Sequence, residues 1–344
     1  MIKVTGAEQA EQWDAAVRSF RDHDVYWLNG YARGFQIHGD GEPLLIQYEG
    51  DGTRGIHVVM KRDAAKSAGL AGLIPEGEYY DFSSPYGYGG WLIEGEGMEA
   101  LFREYGAWLE KNEIISEFVR FHPMIRNHEA CAGFYETIRL GEVVHMDLSS
   151  PETIWENLTS KNRNMIRKAE KNGVRIYNGR FPEIYETFRE IYNATMARDE
   201  AEEYYYFGKP YYASLLEDLP ANAQVFWAEK DGKAIAASIM LTANGRMNYH
   251  LSGSLKEYGT LAPTNLLLYK AALWGCANGF RTFYLGGGVG SGEDSLFKFK
   301  RAFYRGELNR FHIGKKIIDT EQYDRLVRLR TDIRNEGYFP KYRG

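Results

Sequence analysis

Residues 160–175, Ser-Lys-Asn-Arg-Asn-Met-Ile-Arg-Lys-Ala-Glu-Lys-Asn-Gly-Val-Arg, carry six cationic side chains (Lys161, Arg163, Arg167, Lys168, Lys171 and Arg175) against Glu170 alone, in a chain of net charge −5. Met165, Ile166 and Ala169 form a narrow apolar stripe at helical spacing, Ser160 can serve as N-cap, and Asn172-Gly173 supplies a C-terminal stop. The stretch predicts a helix over 160–172 followed by a strand beginning Val-Arg-Ile. Arg163 and Arg167 stand one turn apart and project together. Guanidinium forks in that arrangement match phosphate oxygens, and a solvated face on an ordinary helix has the same spacing.

Outward from this helix, both halves of the chain repeat one pattern. In the first, a helix is expected over 7–22, then strands over 43–49 and 55–62 joined by Asp51-Gly52. In the second, strands over 224–230 and 233–242 are joined by Asp231-Gly232. Helices over 182–197, 209–218 and 263–278, a strand over 282–285, a helix from Asp294, a strand over 309–315 and a helix over 320–334 complete the second half. The junction is expected at Ser149-Ser150-Pro151, giving domains 1–148 and 149–344. Hairpins mixed with long helices indicate a mixed α/β (α+β) fold with an internal duplication.

With 344 residues, 44% hydrophobic and 15% aromatic, the chain is expected to be fully folded. No apolar run is long enough to span a membrane, and the N-terminus lacks a signal-peptide pattern. Cys131 and Cys276 lie far apart in apolar surroundings and read as buried thiols, which places the protein in the cytoplasm. No His/Cys cluster has metal-ligand spacing, so no metal is expected. Between Leu296 and Lys316 seven basic residues face Glu307 alone, while acid concentrates around Asp199–Glu203. Such a charge dipole steers anionic ligands to one side.

Several segments carry candidate chemistry. Gly286-Gly287-Gly288-Val289-Gly290-Ser291-Gly292 lies between a strand and a helix but has neither a Walker A lysine nor dinucleotide-binding register, and it also reads as a hinge. Tyr249-His250 ends a strand and offers two groups for hydrogen bonding or proton transfer. Tyr206, in the run Tyr204–Phe207, is expected to line a pocket or to pack between the halves. Asp81–Gly90, with Ser84 and Tyr86, has the composition of a binding loop. Lys256-Glu257-Tyr258-Gly259-Thr260-Leu261, before the helix that holds Thr264, is similar to the pyrophosphate loop of GNAT acyltransferases, with Lys for the usual Arg or Gln and Leu261 where a small residue is usual. Gly259 and Thr264 are the substrate-binding candidates there.

Taken together, the chain resembles the Fem family of non-ribosomal peptidyltransferases and related tandem GNAT-like proteins. The resemblance rests on Lys161-x-Arg163-x-x-x-Arg167-Lys168-Ala169-Glu170-x-x-Gly173-Val174, Tyr86-Gly87-Tyr88-Gly89-Gly90, Phe299-Lys300-x-x-Phe303 and Phe311-His312-Ile313-Gly314, in that family's order along nearly the whole chain. It implies two tandem GNAT-like domains, with the main cleft in the second. It also implies an aminoacyltransferase that takes an aminoacyl group from aminoacyl-tRNA to the amine of a cell-wall precursor peptide. Lys300 matches the lysine associated with that family's site. The catalytic expectation is Lys300 with Tyr249; Lys161, Arg163, Arg167, Tyr206, Tyr86, Ser84, Gly259 and Thr264 are expected to bind substrate. No bound cofactor is expected, aminoacyl-tRNA being a co-substrate, and peripheral membrane contact goes with a lipid-linked acceptor. The alternative is an acyl-CoA-dependent N-acyltransferase acting on an amino sugar or small amine, with acetyl-CoA as donor.

Overall fold

The computed structural model describes residues 1–344. In chain order the elements are β1 (Ile2–Gly6), α1 (Ala10–Arg18), α2 (Asn29–His38), β2 (Glu42–Gly50), β3 (Thr53–Asp63), β4 (Tyr80–Ser83), β5 (Leu92–Glu94), α3 (Met98–Lys111), β6 (Ile114–Arg120) and β7 (Glu136–Asp147). There follow α4 (Pro151–Asn157), α5 (Ser160–Lys171), β8 (Arg175–Gly179), α6 (Pro182–Arg198), α7 (Lys209–Asp218), β9 (Ala223–Lys230), β10 (Lys233–Ala243), β11 (Arg246–Ser254), α8 (Pro263–Ala277), β12 (Thr282–Gly286), α9 (Ser295–Arg301), β13 (Asn309–Ile317) and α10 (Thr320–Leu329).

Two compact units result, Met1–Leu140 with Phe311–Gly344, and Gly141–Arg310. The division differs from the expected domains 1–148 and 149–344, because the last 34 residues belong to the first unit. The reason is a buried polar anchor. Tyr342 is fully buried and its hydroxyl donates to Asp81 Oδ2 at 3.0 Å, while Arg343 Nε donates to the same oxygen at 2.7 Å and Arg62 Nε to Oδ1 at 2.6 Å. Burial alone would raise the Asp81 carboxyl, but the two guanidiniums outweigh it and hold it below the usual carboxylate range.

Each unit repeats one topology. A strand, two helices, three antiparallel strands and a helix lead to a strand that pairs in parallel with the third antiparallel one. In the first unit the sheet order is β1-β2-β3-β4-β6-β13, with β5 on β3; in the second it is β8-β9-β10-β11-β12-β7. β4–β6 and β11–β12 are the parallel pairs. The strand completing each sheet is exchanged along the chain: β13 lies antiparallel on β6, and Val144–Asp147 of β7 on β12. Both Asp-Gly turns have positive φ at each residue, 50° and 69° at Asp51-Gly52 and 51° and 79° at Asp231-Gly232. That is the hairpin geometry whose twist matches the flanking strands.

In the second unit the hydrophobic face of α5 (Ile166, Ala169) and the largely buried α8 (Leu266, Leu267, Ala271) cover Phe226, Met240, Met247 and Phe283 of the sheet. The first unit packs Trp91, Leu101, Tyr105 and Leu109 on Ile46, Val59, Phe82 and Val119. Some boundaries differ from expectation: the helix over 7–22 is shortened to α1, and the last helix ends at Leu329. Cys131 is buried, whereas Cys276 is only partly so, and both are free thiols.

Candidate functional site

The duplicated units differ at their parallel strand pairs. In the first unit the pair stays closed beyond its formal end: Ser84 N donates to Phe118 O at 3.0 Å, Gly89 N to Arg120 O at 2.7 Å, and Ser84 Oγ accepts from Arg120 N at 3.1 Å. In the second unit, β11 and β12 pair only from Arg246–Thr282 to Asn248–Tyr284. At that level both strands are irregular. On β11 the register passes from Leu251 to Tyr249, leaving His250 unmatched, and on β12 it passes from Tyr284 to Gly286, leaving Leu285 unmatched. A bulge bends a strand and re-aims its side chains. Two at one level part β11 from β12 and open the sheet beside Tyr249.

Lys300 sits at this opening. Asp294 caps α9, Phe303 anchors it as a fully buried ring, and Phe299 packs edge-on against Phe303 at 5.4 Å. Lys300 is 8% exposed, and its Nζ donates to Gly287 O at 2.7 Å and lies 5.9 Å from the Tyr249 ring centroid. The two expected catalytic side chains are therefore together. Burial pushes the Lys300 ammonium down to about 8, opposed by the Asp294 carboxylate. Burial raises the Tyr249 phenol, against hydrogen bonding by Ser252 and Ser238, whose own hydroxyls lie 2.8 Å apart. His250 Nε2 is 2.7 Å from Tyr211 Oη, and burial drives its imidazole down to about 3, so it is neutral near physiological pH.

The remaining candidates separate by what they touch. Arg163 Nη1 donates to Leu158 O at 3.0 Å and Trp155 O at 3.4 Å, so its guanidinium satisfies the carbonyls that end α4. Arg167 and Lys161 are exposed, Arg167 lying 5.1 Å over the Trp155 ring. The N-cap of α5 is Thr159, which accepts from Asn162 N at 3.3 Å, and Ser160 is its first helical residue. Asn162 is buried, donating to Ala302 O at 3.2 Å and accepting from Asn265 Nδ2 at 2.8 Å. The basic helix is thus tied two residues from Lys300.

Tyr206 is 37% exposed, next to Phe207, which is buried and stacks on Tyr211 at 4.5 Å. Gly259 lies exposed in a 3-10 turn over Lys256–Leu261, and a Cβ there would meet nothing, so no close approach requires glycine. Thr264 is half-buried in the first turn of α8. Ser84 and Tyr86 belong to the first unit. Ser84 is 6% exposed with its hydroxyl taken by the backbone, and the Tyr86 carbonyl accepts from the Tyr31 hydroxyl. Tyr211, Asn162 and Asn265 escaped sequence reading: hydrogen bonds between distant positions leave no periodic trace.

The strand and helix order of the second unit, with its opened parallel strand pair, is that of a GNAT-type acyltransferase fold. Residues 160–301 match the model described as an acetyltransferase (GNAT) domain. No curated protein matches the chain in sequence. Among solved structures, FemX superposes with a TM-score of 0.69 at 13% identity, covering 94% of this chain and 99% of that one. A conserved protein of unknown function from Bacteroides thetaiotaomicron VPI-5482 gives 0.59 at 12% identity, covering 92% and 100%. The C-terminal domain of a proposed lysylphosphatidylglycerol synthetase from Agrobacterium fabrum gives 0.56 at 15% identity, covering 96% and 98%. These likenesses establish a FemX-like GNAT fold over nearly the whole chain. No helix is long and apolar enough to cross a membrane.

Proposed function

We propose that this protein is an aminoacyltransferase that moves an aminoacyl group from aminoacyl-tRNA to the amine of a peptide or small amine, of the cell-wall precursor kind, in the cytoplasm. The observation that carries the reading is the buried Lys300 ammonium at the β11–β12 opening, held by Gly287 O and beside Tyr249. Aminolysis of an ester requires positioning and charge stabilisation, and no protein nucleophile. The neutral acceptor amine attacks the ester carbonyl, a carbon–nitrogen bond forms, and negative charge collects on the carbonyl oxygen. As the carbon–oxygen bond breaks, a proton from the amine ends on the departing ribose oxygen. Lys300 can stabilise the oxyanion, with Tyr249 as a second donor.

The donor class is supported by the exposed cations Lys161 and Arg167 on α5, by the resemblance to the Fem family, and by the FemX-like fold. The alternative, an acyl-CoA-dependent N-acyltransferase, is favoured by the match to the acetyltransferase domain model. Against it, Lys256–Leu261 is coiled into a 3-10 turn and Leu261 packs on the core. The test is transfer of a radiolabelled aminoacyl group from charged tRNA to amine-bearing muropeptides, run beside acetyl-CoA with amino sugars. Turnover with acetyl-CoA alone would establish the alternative.

A further inference from the structure

Resting on the assignment of Lys300 above, we propose that Asp294 is the positioning residue of this site: its single carboxylate fixes both the loop that presents Gly287 O and the helix that presents Lys300, and supplies the countercharge to the ammonium. Oδ1 accepts from Phe297 N at 2.8 Å and so starts α9; Oδ2 accepts from Val289 N at 3.1 Å and so folds the glycine-rich loop back onto the helix. The loop closes tightly on this carboxylate, since a Cβ at Gly288 would lie 2.3 Å from Oδ1. At Gly286, where φ is +83°, a Cβ would lie 3.4 Å from Lys300 Nζ. Gly288 therefore leaves room for the carboxylate, and Gly286, two residues earlier in the same loop, lies beside the ammonium.

The groups near the ammonium come from three elements and the loop before α9. Tyr249 faces it from β11, Tyr284 packs beside Gly286 from β12, Arg301 follows it on α9 with its guanidinium turned to Tyr304 O and Gly306 O, and Asp294 is the nearby carboxylate. Hydrogen bonds from Phe297 N, then Val289 N, hold Asp294 below the usual carboxylate range, so it stays ionised while burial works against the Lys300 charge. The loop is thus more than a hinge: it joins a carboxylate-capped turn to the charge state of the lysine.

Asp294→Asn and Asp294→Ser keep a capping oxygen and remove the charge; Asp294→Glu keeps the charge. The protonation midpoint of Lys300 is read by competitive labelling with trace acetic anhydride against pH, quantified by peptide mass spectrometry, together with the alkaline limb of kcat. Both should shift about one unit lower in the Asn and Ser variants and return toward wild type in the Glu variant. An unmoved midpoint in whichever neutral variant melts like the wild type would overturn the proposal and leave Asp294 a plain helix cap. The labelling needs no substrate, so a shifted midpoint in a protein that transfers nothing would sink the proposed function and leave this assignment standing.

Discussion

Lys300 combines two features that oppose each other, nearly complete burial and the charge that the proposed mechanism asks of it. Its ammonium titrates at about 8 in the folded chain, against 10.5 as its ordinary value. The folded state therefore binds fewer protons than the unfolded chain between these two values. Stability rises with pH across that window, and the full penalty is present below it. Lys300→Met should accordingly raise stability near neutral pH, by on the order of 3 kcal/mol at most, while kcat falls at least about a hundredfold. Chemical denaturation and single-turnover kinetics check the two halves of this prediction; wild-type turnover in Lys300→Met would remove the residue from the mechanism. In the wild type, kcat should decline above about 8 as the ammonium deprotonates. His250 acts in the opposite part of the scale. Its folded value of about 3 lies below the ordinary 6.5, so stability should fall as pH drops below 6.5, where the unfolded imidazole accepts a proton that the buried one refuses.

Among the elements, α5 shows how far a sequence can be read. Its limits, its apolar stripe and its cationic face follow from spacing alone, and so do the Asp-Gly hairpins and the helices that begin at Pro182 and Pro263. The family resemblance carried by Phe299-Lys300-x-x-Phe303 points to Lys300, and the strand-end Tyr-His to Tyr249; that the two lie together is legible only in the structure. Spacing cannot distinguish Arg163 from Arg167, because the carbonyls that engage Arg163 are exposed only once α4 has turned into α5. Nor could it choose Thr159 over Ser160 as cap, since the two hydroxyls differ only in which precedes the first helical turn. The structure makes the distinction testable. Arg163→Ala should cost about 1–2 kcal/mol of stability and leave the salt dependence of RNA binding unchanged. Arg167→Ala and Lys161→Ala should leave stability within about 0.5 kcal/mol, weaken binding, and each reduce the slope of log affinity against log salt by about one. Equal slopes in all variants would return α5 to a solvated face.

For the whole molecule, the unexpected feature is the return of Phe311–Gly344 to the first unit. Composition gave no hint of it, because the anchor is a long-range triad of Asp81 with Arg62 and Arg343, closed by Tyr342. Asp81→Asn leaves two half-buried guanidiniums without their anion and should cost about 3 kcal/mol or more, measured by urea denaturation. Because the Asp81 carboxyl is held below the usual range, its contribution is complete above the unfolded value and is lost as pH falls through the folded one.

The two copies differ where the proposed site falls: one parallel strand pair is closed by Ser84 and Gly89, while the other opens beside Tyr249 with a lysine at the opening. The central claim, that this opening accepts an aminoacyl ester carried on RNA, is tested most directly by equilibrium titration of the intact protein with aminoacylated tRNA and with acetyl-CoA across a salt series. The account predicts that the charged tRNA binds at low salt with steep loss of affinity as salt rises, and that acetyl-CoA binds no tighter than roughly millimolar, about −4 kcal/mol. Micromolar binding of acetyl-CoA, with charged tRNA binding weakly and without salt dependence, would contradict it.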